Sequence, residues 1–245
     1  MSPSKTLAVA QRVVLQLRHD PRTLGLLFVV PPMLITILKY VFQGQPAQFN
    51  HMAPMLLGIF PMVMMFLVTS IVTLRERTNG TLERLMTMPM GKLDYILGYA
   101  TAFLLIALVQ ALISTGVMLG LLQVSVQGGM PLVLVGTLAA AFLGTGLGLF
   151  SSAFARTEFQ AMEFMPAFLF PQLLMCGLFV PRENMARLLQ LLSDVFPLTY
   201  SVHAMQEITQ RASLSNTLVR DLLIVLGSAL LALVLGSLTI RRATK

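Results

Sequence analysis

Residues 75–90 read Arg-Glu-Arg-Thr-Asn-Gly-Thr-Leu-Glu-Arg-Leu-Met-Thr-Met-Pro-Met and follow the apolar run 52–74 with no linker between them. A hydrophobic stretch of this length that passes straight into charge is leaving hydrocarbon for water. The surrounding chain agrees, being 56% hydrophobic and 11% charged with a mean hydropathy of +0.80, whereas soluble domains carry roughly a quarter charged residues. Several runs exceed the roughly 20 residues that cross a hydrocarbon core as a helix. The fold class is therefore all-α, a polytopic membrane protein.

Working outward, the run 52–74 is the second of six predicted spans. The first covers 22–42 and contains Pro31-Pro32, which predicts a kink near Pro31 that neighbouring helices must cover. A short, nearly uncharged loop is expected over 43–51. Spans three and four cover 95–122 and 130–155, separated by the Gly128-Gly129 turn. The pairs Gly116/Gly120 and Gly144/Gly148 have the spacing that lets helices approach closely. Span five covers 164–180, interrupted by Pro166 and Pro171, and span six covers 216–240. Two segments are too interrupted to cross. Residues 4–19 place Leu7, Ala10, Val14 and Leu17 at helical spacing and read as an amphipathic surface helix, retained because no signal-peptide core or cleavage pattern is present. Residues 181–215 hold Met185, Leu188, Leu189 and Leu192 in a short helical pattern, and suggest one or two small helices in or on the outer leaflet.

The charge distribution sets the expected orientation. With six spans and a cytoplasmic N-terminus, the Lys and Arg residues at 5, 12, 18, 22, 75, 77, 84, 92, 156, 241, 242 and 245 lie inside, and Lys39, Arg182, Arg187, Arg211 and Arg220 lie outside. Positive residues prefer the cytoplasmic side, so both termini and residues 75–90 are expected there, in a cell (inner or plasma) membrane. The net charge of +7 is thus a topology signal, and nucleic acid is not an expected partner. The single cysteine, Cys176, has no intrachain partner, and His19, His51 and His203 lie far apart without metal-ligand spacing.

Within residues 75–90, Asn79-Gly80 is a turn signal, Thr81 is a candidate N-cap and Glu83 sits in the first turn of a new helix, favourable against its positive dipole end. Leu82, Leu85 and Met86 share one face, Glu83 and Arg84 point away, and Pro89 ends the helix. This physics fits a docking helix for another subunit or an ordinary loop helix held by lipid headgroups.

The string Arg-Glu-Arg-Thr-Asn-Gly-Thr-Leu-Glu-Arg-Leu followed by Met-Pro closely resembles the cytoplasmic motif after the second helix of the ABC transporter type-2 permease family, exporters of drugs, lipids and polysaccharides. A second likeness lies at Cys176-Gly177-Leu178-Phe179-Val180-Pro181, Leu188-Leu189-Gln190-Leu191-Leu192-Ser193 and Phe196-Pro197-Leu198-Thr199-Tyr200, similar to the family's pattern before its last helix. With the six-span plan it covers essentially the whole chain. Family sequences often carry a charged residue soon after the proline-tyrosine motif, where this chain has His203 and Gln206.

The resemblance implies that residues 1–245 are a single transmembrane domain. Residues 1–21 would be a connecting helix, residues 75–90 a coupling segment for a separate ATP-binding subunit, and residues 181–215 short extracytoplasmic helices. On that basis Arg75, Glu76, Gly80, Thr81, Leu82, Glu83 and Leu85 are the expected coupling residues. The family architecture further implies two facing permeases, identical or homologous, two ATP-binding subunits and surrounding membrane lipid. Substrate would pass between the second and fifth helices, with Met62, Met65, Phe66 and Thr69 on one and Phe168, Gln172 and Cys176 on the other as candidate lining. Methionine suits an adaptable apolar site.

No Gly-x-x-x-x-Gly-Lys-[Ser/Thr] phosphate loop occurs in the chain, so no catalytic residue, cofactor or metal is assigned to it; ATP and Mg would belong to the partner. The expected function is a permease subunit that exports an amphipathic drug or lipid with a partner's ATP. A proton-coupled secondary carrier is the alternative and would need carboxylates buried inside the spans. Glu158 and Glu163, at the start of the fifth span, read as interfacial anchors, and Gln110 and Ser114, four residues apart, read as hydrogen-bonding across helices.

Overall fold

The structure, a computed structural model, describes residues 3–79 and 92–239. Ten α-helices occur among the described residues, with no strand: α1 (Pro3–Arg18), α2 (Pro21–Val41), α3 (Pro46–Leu57), α4 (Phe60–Thr78), α5 (Lys92–Gly116), α6 (Gly129–Ser152), α7 (Glu158–Met175), α8 (Arg187–Val195), α9 (Pro197–Gln210) and α10 (Asn216–Thr239). A π-turn, Val117–Leu121, extends α5 and a 3₁₀ turn, Arg182–Asn184, precedes α8.

Five helical stretches are long and apolar enough to cross a membrane: Pro21–Val41, Pro46–Thr78, Leu97–Leu121, Gly129–Ser152 and Asn216–Gly236. Helical hydrogen bonding along these stretches satisfies most of the peptide groups that lipid would leave orphaned. The predicted fifth span is not among them. It appears as α7, which begins at Glu158, before the expected position, and ends at Met175 because the chain bends at Gly177, whose φ is +93°. Its 18 residues rise about 27 Å.

The bundle is assembled around α6, which packs on α4 most extensively and also touches α5, α9 and α10. Its glycines explain why. A Cβ on Gly144 would lie 2.1 Å from the Met62 carbonyl oxygen, and one on Gly148 2.5 Å from that of Phe66. The glycine edge of α6 therefore lies directly on the α4 backbone. Gly146 faces Ala229 of α10 in the same way, its Cβ position 2.5 Å from that carbonyl. The second glycine pair behaves differently, since a Cβ on Gly116 or Gly120 would meet nothing within 4 Å.

Several elements depart from the expected reading in instructive ways. The anticipated loop over 43–51 is mostly helix, because Pro46 occupies the first turn of α3, where its missing N–H is not needed. The second span is interrupted at Gly58-Ile59, just before Pro61, and the Gly58 carbonyl accepts from the Ser201 hydroxyl at 2.9 Å. On α1 the buried face is Val9, Ala10, Val13 and Leu17, while Leu7 is exposed. That face packs on α5 through Gly98, whose Cβ position lies 2.6 Å from Val9, so α1 is pinned to the bundle. Helix α9 is also not superficial, because Leu198, Val202 and Met205 are fully buried in the main core. Helix α8 keeps Leu188, Leu189, Leu191, Leu192 and Val195 exposed.

The carbonyl freed by Pro31 is covered by a neighbouring helix, as anticipated. Pro31 lacks the N–H that would serve the Leu27 carbonyl, and the buried Gln110 side chain of α5 donates to that oxygen at 3.2 Å. The Ser114 hydroxyl, one turn away, is buried without a hydrogen-bond partner.

Candidate functional site

The C-terminal turn of α4 carries Arg75, Glu76 and Arg77, and each reaches a different element. Arg75 donates from both Nε and a terminal nitrogen to the two Glu158 oxygens at 2.7 and 2.9 Å, a bidentate clasp on the first residue of α7. It also lies 3.8 Å from Asp20 in the turn between α1 and α2. Glu76 is 2% exposed and accepts from Arg12 of α1 at 2.8 Å. Arg77 donates to the Ser152 carbonyl at 2.8 Å, satisfying a C-terminal orphan of α6. Three successive residues thus tie α1, the α1–α2 turn, α6 and α7 to the residue that precedes segment 80–91.

The helical repeat makes this division possible, because successive side chains point about 100° apart and cannot share a neighbour. The partners are themselves set at helix starts. Asp20 caps α2, accepting from the Thr23 hydroxyl at 2.7 Å and the Thr23 amide at 3.2 Å. Those bonds, the hydroxyl's first, hold its carboxyl below the ordinary carboxylate range. Glu158 lies in the first turn of α7, where Thr157 is the N-cap, and the Arg75 hydrogen bonds lower its carboxyl pKa. Among the described residues the junction is built of ion pairs and a capped carbonyl. What it can transmit is position.

Of the coupling residues expected from sequence, Arg75 and Glu76 stand in this junction, while Gly80, Thr81, Leu82, Glu83 and Leu85 lie outside the described residues. Arg12, Asp20, Arg77 and Glu158 are junction members that sequence reasoning did not assign to it. Their signal was charge, beside a span end for Asp20, Arg77 and Glu158 and on the surface helix for Arg12.

Two cavities lie toward the other end of α3 and α4. One, about 640 Å³, is walled by His51 of α3, Cys176, Arg182, Asp194 and, from α9, His203 and Gln206. The other, about 450 Å³, is a groove lined entirely by apolar side chains, among them Leu34 of α2, Phe60, Val63 and Met64 of α4, and Leu169 and Leu173 of α7. Met62, Met65, Phe66 and Thr69 face elsewhere. All four are at most 1% exposed, and Met62 and Phe66 supply the carbonyls under Gly144 and Gly148. Phe168 is 42% exposed. Gln172 is buried, donates to the Phe168 carbonyl at 3.0 Å and faces the Leu198 amide at 3.4 Å, joining α7 to the start of α9. Cys176 is buried at the wall of the polar cavity.

His203 borders the same cavity, and its Nδ1 lies 2.5 Å from Asp221 of α10, a fully buried carboxylate that Arg220 also contacts at 2.9 Å. Glu163 is exposed.

Comparison with known proteins bears on both regions. The family model described as ABC-2 type transporter matches residues 4–209. The chain is 29% identical over 147 residues to the Inner membrane transport permease YhhJ of Escherichia coli K12, covering 60% of this chain and 39% of that protein. It is equally similar, 29% over 147 residues, to the Probable multidrug ABC transporter permease YbhR of the same organism, covering 60% and 40%. The ABC transporter G family member 20 of Dictyostelium discoideum is 25% identical over 174 residues, which is 71% of this chain and 24% of that protein. The matched segment thus spans about two fifths or less of the length of these relatives.

Proposed function

Because the chain belongs to the ABC-2 type transporter family, we propose that it is the permease subunit of an exporter that moves an amphipathic drug or lipid with ATP hydrolysed by a separate subunit. The observation that carries this reading is the junction of Arg75, Glu76 and Arg77. It joins three helices and the α1–α2 turn to the stretch that enters segment 80–91, which is the arrangement needed for a displacement of that segment to move the bundle.

In this reading the Arg75 end is cytoplasmic, with both termini on that side, and segment 75–90 docks on an ATP-binding subunit through Gly80, Thr81, Leu82, Glu83 and Leu85. Two such subunits, holding ATP and Mg, serve two permeases, identical or homologous. Helix α7 completes a six-span plan: it starts beside Arg75 and leads to Cys176 at the opposite cavity, so its course supports a crossing despite its polar residues. Substrate moves along the α4 and α7 surfaces, with Phe168, Gln172 and Cys176 as contributors, and Met62, Met65, Phe66 and Thr69 join only when α4 rotates off α6. The names of the multidrug and transport-permease relatives support a small amphipathic cargo.

Replacement of Glu83 by arginine tests the reading. The variant should insert and assemble, while ATP-driven export of a fluorescent amphiphile into inverted vesicles falls at least tenfold; unchanged export removes Glu83 from coupling. Purification without any ATP-binding subunit, together with export that needs no ATP, would overturn the main reading.

A proton-coupled carrier remains the second reading because Asp221 is a fully buried carboxylate beside His203 within a predicted span. Export that persists at clamped ATP and stops when the proton gradient is collapsed would select it.

A further inference from the structure

The polar cavity and the apolar groove share Met52, Leu178 and Phe179 as walls. They therefore adjoin within one chain, with those three side chains between them, and each lies in the 300–1,000 Å³ range of small-molecule sites. From Met52, which borders both, to Met64, deep in the groove, the α3–α4 helical stretch advances 12 residues, or about 18 Å. That is roughly one leaflet's share of a hydrocarbon core about 30 Å thick.

The polar chamber has a definite charge character. Arg182 is ion-paired with Asp194 and donates to Ser193, and His203 is held by Asp221. What is left is one permanently charged residue of each sign, Arg187 and Glu183, with His51 and the amides of Gln48, Gln190, Gln206 and Gln210 among them. A chamber of this kind offers donors and acceptors in balance and no uncompensated field for a cation or an anion.

We propose that these two cavities are one site for a single long amphiphile whose head is uncharged or zwitterionic, with the head in the amide-lined chamber and the apolar body in the groove between α2, α4 and α7. This deepens the export reading by naming the substrate class, and it differs from that reading in needing only one chain and no ATP.

The chain contains no tryptophan, so Phe179→Trp places a single emitter where the two limbs meet. The whole chain carrying this change is reconstituted without any partner in vesicles containing a minor fraction of acyl-brominated lipid with a phosphocholine, phosphoglycerol or trimethylammonium head. Phosphocholine lipid should quench beyond its bulk mole fraction, with an apparent occupancy about two- to fivefold above the other two, the range that an exposed ionic interaction commands. Adding Gln210→Lys at the exposed rim should move the preference to the phosphoglycerol lipid, a gain that misfolding cannot imitate. Quenching that follows bulk composition for all three heads overturns the proposal. So does a cationic or anionic preference before the lysine is added, or one that the lysine leaves unmoved. Loss of ATP-driven export alone, with the quenching pattern intact, would count against the export reading and leave this site standing.

Discussion

The ion pairs at the Arg75 junction look alike in a drawing but differ in what they hold. The Arg75–Glu158 clasp is nearly half exposed on both sides, and exposed pairs are worth under about 1 kcal/mol. Glu76 is 2% exposed, and removing one partner of a buried charge costs more than this, up to about 3 kcal/mol. Arg12→Ala should therefore lower the thermal stability of the detergent-solubilised protein clearly more than Glu158→Gln does. If the junction transmits motion, Glu158→Gln should still impair export coupling. Equal stability losses would show that the Glu76 carboxylate does not depend on Arg12. The acidic side has a sign that can be checked. Asp20 and Glu158 have lowered carboxyl pKa values, so their contribution is complete above the ordinary values of 3.8 and 4.5 and is lost as pH falls through the lower folded-state values. The α4–α7 contact should stay closed at pH 5 and loosen only at a pH below the ordinary 4.5 of a glutamate, as read by spin-label distances between the two helices. Gln110 is a separate case. Gln110→Leu leaves the Leu27 carbonyl bare beside Pro31, and the expected loss is about 1 kcal/mol, with the α2 turn around Pro31 as the first place to exchange amide hydrogens.

At the scale of elements, the two glycine pairs have the same spacing and different fates. Gly144 lies under the Met62 carbonyl with only 2.1 Å to a Cβ, whereas Gly116 and Gly120 face open space. Gly144→Ala should force α4 and α6 apart and cost about 2 kcal/mol, in the range of overpacked cores. Gly116→Ala should instead be neutral or slightly stabilising, since alanine is the better helix former. Melting temperatures of the two variants check the contrast, and similar losses in both would mean that Gly116 is covered in the assembled transporter. The same packing explains why the apolar lining was hard to read. The first half of α4, residues 60–68, is apolar on every side, so spacing alone does not tell the 62/66 face from the 60/63/64 face. The glycines of α6 select the first for burial and leave the second to the groove.

The described part of the molecule has two polar ends joined by long helices. Charge concentrates where α4 leaves the bundle, and the amide-lined chamber and its buried Asp221–His203 pair lie at the other end of α3 and α4. Composition and run length were sufficient for the all-helical membrane class, because hydrocarbon permits few other backbones. Charge after an apolar run was sufficient to single out Arg75 and Glu76. The partners Arg12, Asp20 and Glu158 were not legible, since nothing local says which residue 55 to 83 positions away will arrive within 4 Å.

The amino-acid sequence by itself determined that the chain is a bundle of long apolar helices, that a proline inside such a helix leaves a carbonyl for a neighbour to cover, and that charge follows directly on the apolar run ending at residue 74. Tertiary structure alone decided which face of each apolar helix is buried, that α9 enters the core, and that two cavities meet at Met52, Leu178 and Phe179. The physical reason is one of range. Backbone hydrogen bonding and transfer to hydrocarbon act residue by residue along the chain, whereas face selection and ion pairing depend on close approach between segments that the sequence holds far apart.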